Sequence, residues 1–246
     1  MGLSRRSAIV LVATMLAAGL TARLGLWQLD RAAQKNQLQA AIDNRSALPP
    51  LPEAELATDA TTAALQHHRA VVLHGQWAAE HTVYLENRQM KGVPGFFAVT
   101  PLRLGDGTAV LVQRGWLPRD PADRTRIVAA PPMLGRVRVQ GLVAPSPGRL
   151  YEFEAAAAGP IRQNLDLVAF ARETGLRLRP LSLQQRDDAS QPQDDLLRQW
   201  PAPGRGVHKH YGYAFQWFSL SMLILGLYVW FQLIRPRYFA VARQRA

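Results

Sequence analysis

The chain has 246 residues, a length that suits one or two domains, and it contains no cysteine. The missing thiols exclude disulfides, a Cys-x-x-Cys-His haem attachment and a Cys-based copper site, and the five methionines are too scattered to suggest a thioether one. The net charge of +11 is not a nucleic-acid signature: residues 1–35 and 235–246 each carry a net +4, whereas residues 36–210 carry 20 basic against 17 acidic side chains.

The first apolar run, Ser7–Ala22, follows Arg5 and Arg6 and resumes after Arg23 as "LGLWQL". A secretory signal has the same plan of a basic start and an apolar middle. Leu20 is too large for the position three before a cut after Ala22, and the apolar stretch continues to Leu29, so a retained membrane helix is expected over 9–29. "DRAAQKNQLQAAIDNR" extends the helical pattern, and "ALPPLPEAEL" breaks it. Strand-like runs follow at Arg69–Trp77, Thr82–Arg88, Gly95–Leu104, Thr108–Trp116, Gly135–Val143 and Leu176–Gln184. "GDG" at Gly105–Gly107 predicts a hairpin between the third and fourth of these. Leu165–Gly175 predicts a short helix with Asp166 near its start and Gly175 as its C-terminal cap. Residues 185–206 are polar and broken by Pro and Gly, so they read as a mobile linker.

Last comes Tyr211–Ile234, 24 consecutive residues without a charge, more than the roughly 20 needed to cross a hydrocarbon core. Arg5 and Arg6 before the first helix, and Arg235, Arg237, Arg243 and Arg245 after the second, predict that both termini are cytoplasmic. No Arg-rich, Ser-rich transit region precedes the first helix, so a bacterial inner membrane is expected. The predicted architecture has a cytoplasmic N-terminus (1–8), a transmembrane helix (9–29), a mainly antiparallel β (α+β) periplasmic domain (30–209), a second transmembrane helix (210–234) and a cytoplasmic tail (235–246). Aromatic residues and lipid meet at both membrane boundaries.

The sequence holds no phosphate loop, nucleophile elbow or zinc-protease helix. His67, His68, His74 and His81 lack regular metal spacing; His68 and His74 share a strand face but stand about 20 Å apart. The two membrane mouths are more informative. On a helix, His210 shares a face with Tyr213, Ala214 and Trp217, and with Ser221 a turn deeper, while His208 points nearly opposite. An imidazole beside flat aromatic rings at the hydrocarbon edge suits an axial haem ligand; the same residues also make an ordinary interfacial aromatic belt. At the other mouth, Trp27, Arg31 and Lys35 recur four residues apart with Gln28 alongside. These cations either snorkel to lipid headgroups or meet an anionic partner such as haem propionates.

Five segments, in this order, resemble the Surfeit locus protein 1 family: "LGLWQLDRAAQK", "RAVVLHGQW", "NRQMKGVPGFFAVTPL", "VLVQRGWLPR" and "HYGYAFQWFSLS". The resemblance covers almost the whole chain. It implies two membrane helices around an extracytoplasmic domain and a role in assembling cytochrome c oxidase by making haem a available to its catalytic subunit. It places the haem-iron ligand at His210, followed by Tyr213 and Trp217. Two positions depart from the pattern: Gln113 stands where Asn is usual before Arg114 and Gly115, and His208 stands where Asn is frequent, offering a second ligand. Arg114, Gly115 and Trp116 read either as a contact surface for an oxidase subunit or as a packed strand end.

The sequence therefore predicts a non-enzymatic assembly factor that binds haem a transiently. Its cofactor residues are His210, Tyr213, Trp217, Trp27, Arg31, Lys35 and, as alternative ligand, His208. Its partners are the oxidase catalytic subunit, with a haem a synthase as a further candidate. The rival readings are a structural chaperone that never touches haem and a membrane enzyme acting on haem or quinone. Few polar groups lie inside either helix and no acid/base pair is visible, which disfavours the enzyme.

Overall fold

The computed structural model describes residues 4–123, 126–127, 134–148, 150, 159–189, 194–202, 204 and 206–236. The elements are α1 (Arg5–Ser46), α2 (Ala60–Gln66), β1 (Ala70–Trp77), β2 (Val83–Met90), β3 (Val93–Leu104), β4 (Ala109–Pro118), β5 (Arg136–Ala144), β6 (Ile161–Arg162), α3 (Leu167–Thr174), β7 (Leu178–Gln185) and α4 (Val207–Tyr228). All six expected strands are present, each within two residues of its expected ends; the two-residue β6 was not foreseen. The chain forms two compact units, residues 1–40 with 202–246 and residues 41–201.

The first unit is a pair of long helices. α1 runs 42 residues without interruption, about 63 Å, roughly twice the thickness of a hydrocarbon core. α4 continues without a break into a π-helical stretch, Val229–Ile234, giving an apolar helix of 28 residues. It starts three residues before the expected boundary, so His208 is helical too. Arg235 is described; Arg237, Arg243 and Arg245 lie outside the described residues.

The residues these helices bury are small and regularly spaced: Ala18, Gly25 and Ala32 on α1, and Ala214 and Ser221, in line with Val207, on α4. A seven-residue repeat keeps one face turned toward a neighbouring helix, and small side chains let the backbones approach. The Ser221 hydroxyl donates to the Ala18 carbonyl at 2.9 Å. A Cβ at Gly25 would lie 2.8 Å from the Phe218 ring, so only glycine fits there without a shift. Away from this seam the apolar side chains point outward: Leu16, Leu20, Phe215 and Met222 are each more than 60% exposed. Within the most apolar 18-residue windows only 17% of α1 and 6% of α4 is buried. The core helix of a soluble protein would be mostly covered, so these helices are built to meet lipid.

The second unit is the β domain. Its sheet runs β1-β5-β7-β4-β3-β2-β6, and β1 pairs again with the far end of β3. That extra pairing closes β1, β5, β7, β4 and β3 into a hydrogen-bonded ring. Pairing is antiparallel except for β4 with β7 and β2 with β6. All five ring strands feed one core, including Val71, Leu73, Leu102, Val110, Val112, Val139, Leu181 and Leu183, with Leu56 and Ala63 from the α2 region packed against it. Each of the fully buried Leu and Val side chains contributes about 1.5–3 kcal/mol by leaving water. A second cluster lies on the other face of β3 and β4, where Val99 and Leu111 meet Leu85 and Phe170. β4 is thus covered on both faces, which explains its continuous run "AVLVQRGW" in place of an alternating one. The closure is short, Gly75↔Leu104 through Trp77↔Leu102, and any Cβ at Gly75 would collide with the Arg103 carbonyl.

α3 is capped as expected: the Asp166 carboxylate accepts from the amides of Val168 and Ala169, and Gly175 adopts φ +68°. The β3–β4 hairpin is also as expected. Asp106 accepts from the Thr108 amide (2.9 Å) and hydroxyl (2.7 Å) and from Arg179 (2.7 Å), while Arg179 also reaches the Leu56 carbonyl. The bonds from the Thr108 hydroxyl and amide, followed by Arg179, hold the Asp106 carboxyl at a pKa of about 2, against 3.8 in the unperturbed group. A carboxyl depressed on folding stabilises the native state above its unfolded pKa, and that contribution disappears as pH falls through the folded one. Asp106→Asn is therefore expected to lose less urea resistance than the wild type between pH 4 and pH 2. Urea midpoints across that window, referenced to pH 7, check this.

Candidate functional site

His210 faces α1 at the mouth of the helix pair. Its Nδ1 lies 2.7 Å from Gln28 Oε1, and the ring is half-buried. Further toward the same end, Asn36 donates to the Tyr211 hydroxyl (3.2 Å), and Gln39 Oε1 accepts from the Gly204 amide (3.1 Å). Side-chain pairing between polar groups of the two helices thus clusters from Gln28 onward, where the apolar character of α1 ends. A side-chain carbonyl oxygen only accepts, so a neutral imidazole facing Oε1 in this contact is the form with its proton on Nδ1 and its lone pair on Nε2.

The other expected site residues distribute unevenly. Trp217 is half-buried and Tyr213 is 52% exposed; at three and seven residues from His210 both follow its flank of α4. His208, two residues and so about 200° away, is exposed. The cationic face of α1 is not assembled around His210 as expected. Trp27 lies two residues from Gly25 and thus on the side of α1 opposite the seam, 47% exposed. Arg31 folds back over the Trp27 ring, 5.7 Å to its centroid, and donates to Gln34 Oε1 at 3.1 Å. Trp27 lines, with Arg23, Leu24 and Asp30, an open depression of about 310 Å³. Lys35 is half-buried. The α1 residue that reaches His210 is Gln28, the neutral side chain that the sequence sets alongside Trp27, Arg31 and Lys35. Its available signal was a lone amide at the end of an apolar run.

The strand motif Arg114–Gly115–Trp116 is not a contact surface. Arg114 and Trp116 are each 4% exposed and Gly115 is buried. Arg114 follows Val110 and Val112 onto the core side, and a bulge shifts the pairing there: Val99 pairs with Gln113 and Ala98 with Gly115, leaving Arg114 as the extra residue. Its guanidinium sits 5.5 Å from the Trp77 ring centroid and 3.4 Å from Asp194. Gln113 donates to the Ser182 hydroxyl at 2.8 Å in a buried contact between β4 and β7. The Trp116 amide and carbonyl both pair with Leu197 at 2.8 Å, and a Cβ at Gly115 would stand 2.7 Å from that of Leu196. Arg198 grips Asp194 with two 2.7 Å bonds, and Trp200 donates to the Gln185 carbonyl while packing on Phe97. All three motif residues therefore clamp one segment, residues 194–200. Where it is described, the stretch expected as a mobile linker is fastened to the sheet.

Among the described residues, no three His, Cys, Asp or Glu side chains converge as a metal site. His74 and His81 stand beside Glu53 and Glu80, and the His67 and His68 rings meet edge-on.

The SURF1 family profile matches residues 15–222, which include the whole β domain and most of α1 and α4. The chain belongs to the SURF1 family. SURF1-like proteins of Rickettsia felis and Rickettsia conorii are each 26% identical to it, over 84% and 89% of this chain and 89% and 88% of their own. The cytochrome oxidase assembly protein SHY1 of Saccharomyces cerevisiae is 30% identical over 95 residues, 38% of this chain and 24% of the yeast one.

In this SURF1-family domain the clamp is held by a charge with little water around it. Burial pulls the Arg114 guanidinium below its ordinary range, and Asp194 opposes the shift. Removing one partner of a buried pair strands the other, which costs about 3 kcal/mol. Asp194→Ala is accordingly expected to destabilise the domain by about 3 kcal/mol in denaturant unfolding and to expose Arg198 to trypsin; Asp195→Ala serves as the neighbouring control.

Proposed function

We propose that this SURF1-family protein is an assembly factor for cytochrome c oxidase in a bacterial inner membrane. In this reading both termini face the cytoplasm and the β domain faces the periplasm. It holds haem a at the mouth of its helix pair and passes it to the oxidase catalytic subunit, with a haem a synthase as the source. The name of the yeast relative supports the oxidase, the Rickettsia relatives support a bacterial setting, and the Arg residues flanking the helices support the orientation.

The observation that carries the haem reading is the His210–Gln28 contact. It engages Nδ1 and leaves Nε2 outside the contact, on a half-buried ring at the edge of the apolar zone. A neutral imidazole with a free Nε2 is what haem iron takes as an axial ligand. Trp217 and Tyr213 extend the same flank with flat apolar surface for a macrocycle. Half-exposure suits a carrier, because a ligand that must be handed on cannot be sealed in. Arg31 and Lys35 act at the headgroup boundary, where their charges serve lipid phosphates or propionates equally well.

Protein purified from cells that make haem a is expected to carry haem with an axial-histidine spectrum. His210→Ala is expected to lose most of it and His208→Ala to keep it. Retention in His210→Ala with loss in His208→Ala overturns the ligand assignment. Copurification of an oxidase subunit with no haem in any variant selects a structural chaperone instead.

A further inference from the structure

We propose that Gln28 is the positioning residue of this site: its side-chain carbonyl holds the proton of His210 on Nδ1 and so keeps Nε2 as the iron-facing lone pair. The inference rests on the haem reading above and adds to it how the ligand is switched on.

A neutral imidazole has one proton and two nitrogens, and a free ring exchanges between two tautomers. Only the tautomer protonated on Nδ1 offers Nε2 to a metal. Histidine ligands are ordinarily held in one form by an acceptor on the far nitrogen, and the identity of that acceptor tunes their basicity. At 2.7 Å, Gln28 Oε1 occupies that acceptor position. The contact crosses between two helices and is backed by the seam: Gly25 and Ala32 flank Gln28 on α1, and Ala214 follows His210 by one turn on α4. Ring orientation is thereby tied to helix packing rather than to a loop.

An amide differs from the more basic carboxylate acceptor in two ways. It is neutral, so the imidazole gains little imidazolate character and remains a moderate ligand. It is also reversible: rotated by half a turn, Gln28 presents its NH2 group to Nδ1, which then keeps its lone pair while the proton moves to Nε2. In that state the histidine is not a ligand. One side chain thus supports both a holding and a releasing form of His210, as a carrier requires and as a carboxylate, which only accepts, would not permit.

The test compares full-length wild type, Gln28→Leu, Gln28→Glu, Ser221→Ala and His210→Ala in detergent. In haem-free protein, 15N-histidine NMR reads the tautomer of His210. The wild type is expected to show protonated Nδ1, and Gln28→Leu a mixture of both forms. In titrations with haemin, Gln28→Leu is expected to bind about tenfold more weakly and Gln28→Glu more tightly with slower release to apomyoglobin. Ser221→Ala, which removes a different interhelical bond, is expected to bind as the wild type does. Wild-type tautomer and affinity in Gln28→Leu overturn the inference, as does an equal loss in Ser221→Ala, which assigns the effect to helix packing. Haemin affinity unchanged in His210→Ala instead overturns the haem reading, while the NMR still reports what Gln28 does to the ring.

Discussion

Everything at the membrane end of this protein depends on how closely two helices approach. The Ser221 hydroxyl reaches a backbone carbonyl of α1, which requires both surfaces to be nearly bare at that level. Ala18, Gly25 and Ala32 supply the bare stripe on one side, Ala214 and Ser221 on the other. Larger side chains would hold the helices apart, and a glutamine side chain could not then bridge to an imidazole. Lipid offers no hydrophobic drive toward pairing, so close packing and the few interhelical hydrogen bonds hold the pair together. A polar contact near hydrocarbon is stronger where water is scarce, which makes the Gln28–His210 bond a structural constraint as well as a chemical one.

The β domain solves a different problem. Without cysteine it has no covalent staple, so its order comes from burying apolar residues on both faces of β3 and β4 and from one charged cluster. Arg114 continues the alternation of Val110 and Val112 toward Trp77 on the core side of β4, and the bulge shifts the pairing of the residues after it. Its role there is to bind the returning segment through Asp194, while the backbone of Trp116 adds a short strand-like pairing to Leu197. The motif works as an internal clasp.

Local features of the sequence were legible because local physics decides them. Alternation marked the strands, Asp-Gly chemistry marked the β3–β4 turn, and Asp166 with Gly175 marked α3. Non-local features were not. Ring closure depends on three residue pairs between β1 and the end of β3, and nothing in "RAVVLHGQW" alone names its second partner. The burial of Arg114 depends on Trp77 of β1 and on Asp194 of the returning segment, which no single strand reveals. At the helix mouth, spacing separated His210 from His208 correctly. Arg31, however, lies over the Trp27 ring on the outer side of α1, and the four-residue steps turn toward the seam only by Lys35, which is half-buried. The contact to Gln28 was set by the seven-residue spacing of small residues, a pattern overshadowed by the aromatic ones nearby.

The closed ring also decides how much of the sheet is left open to other chains. An open sheet ends in rows of unpaired amides and carbonyls that accept any extended chain, and nascent membrane subunits are rich in such chains. Here β1 and β3 consume each other's free edge, and the sheet's outer margin ends in the two-residue β6. Along the three residue pairs it covers, the closure leaves no free strand edge for another chain to extend.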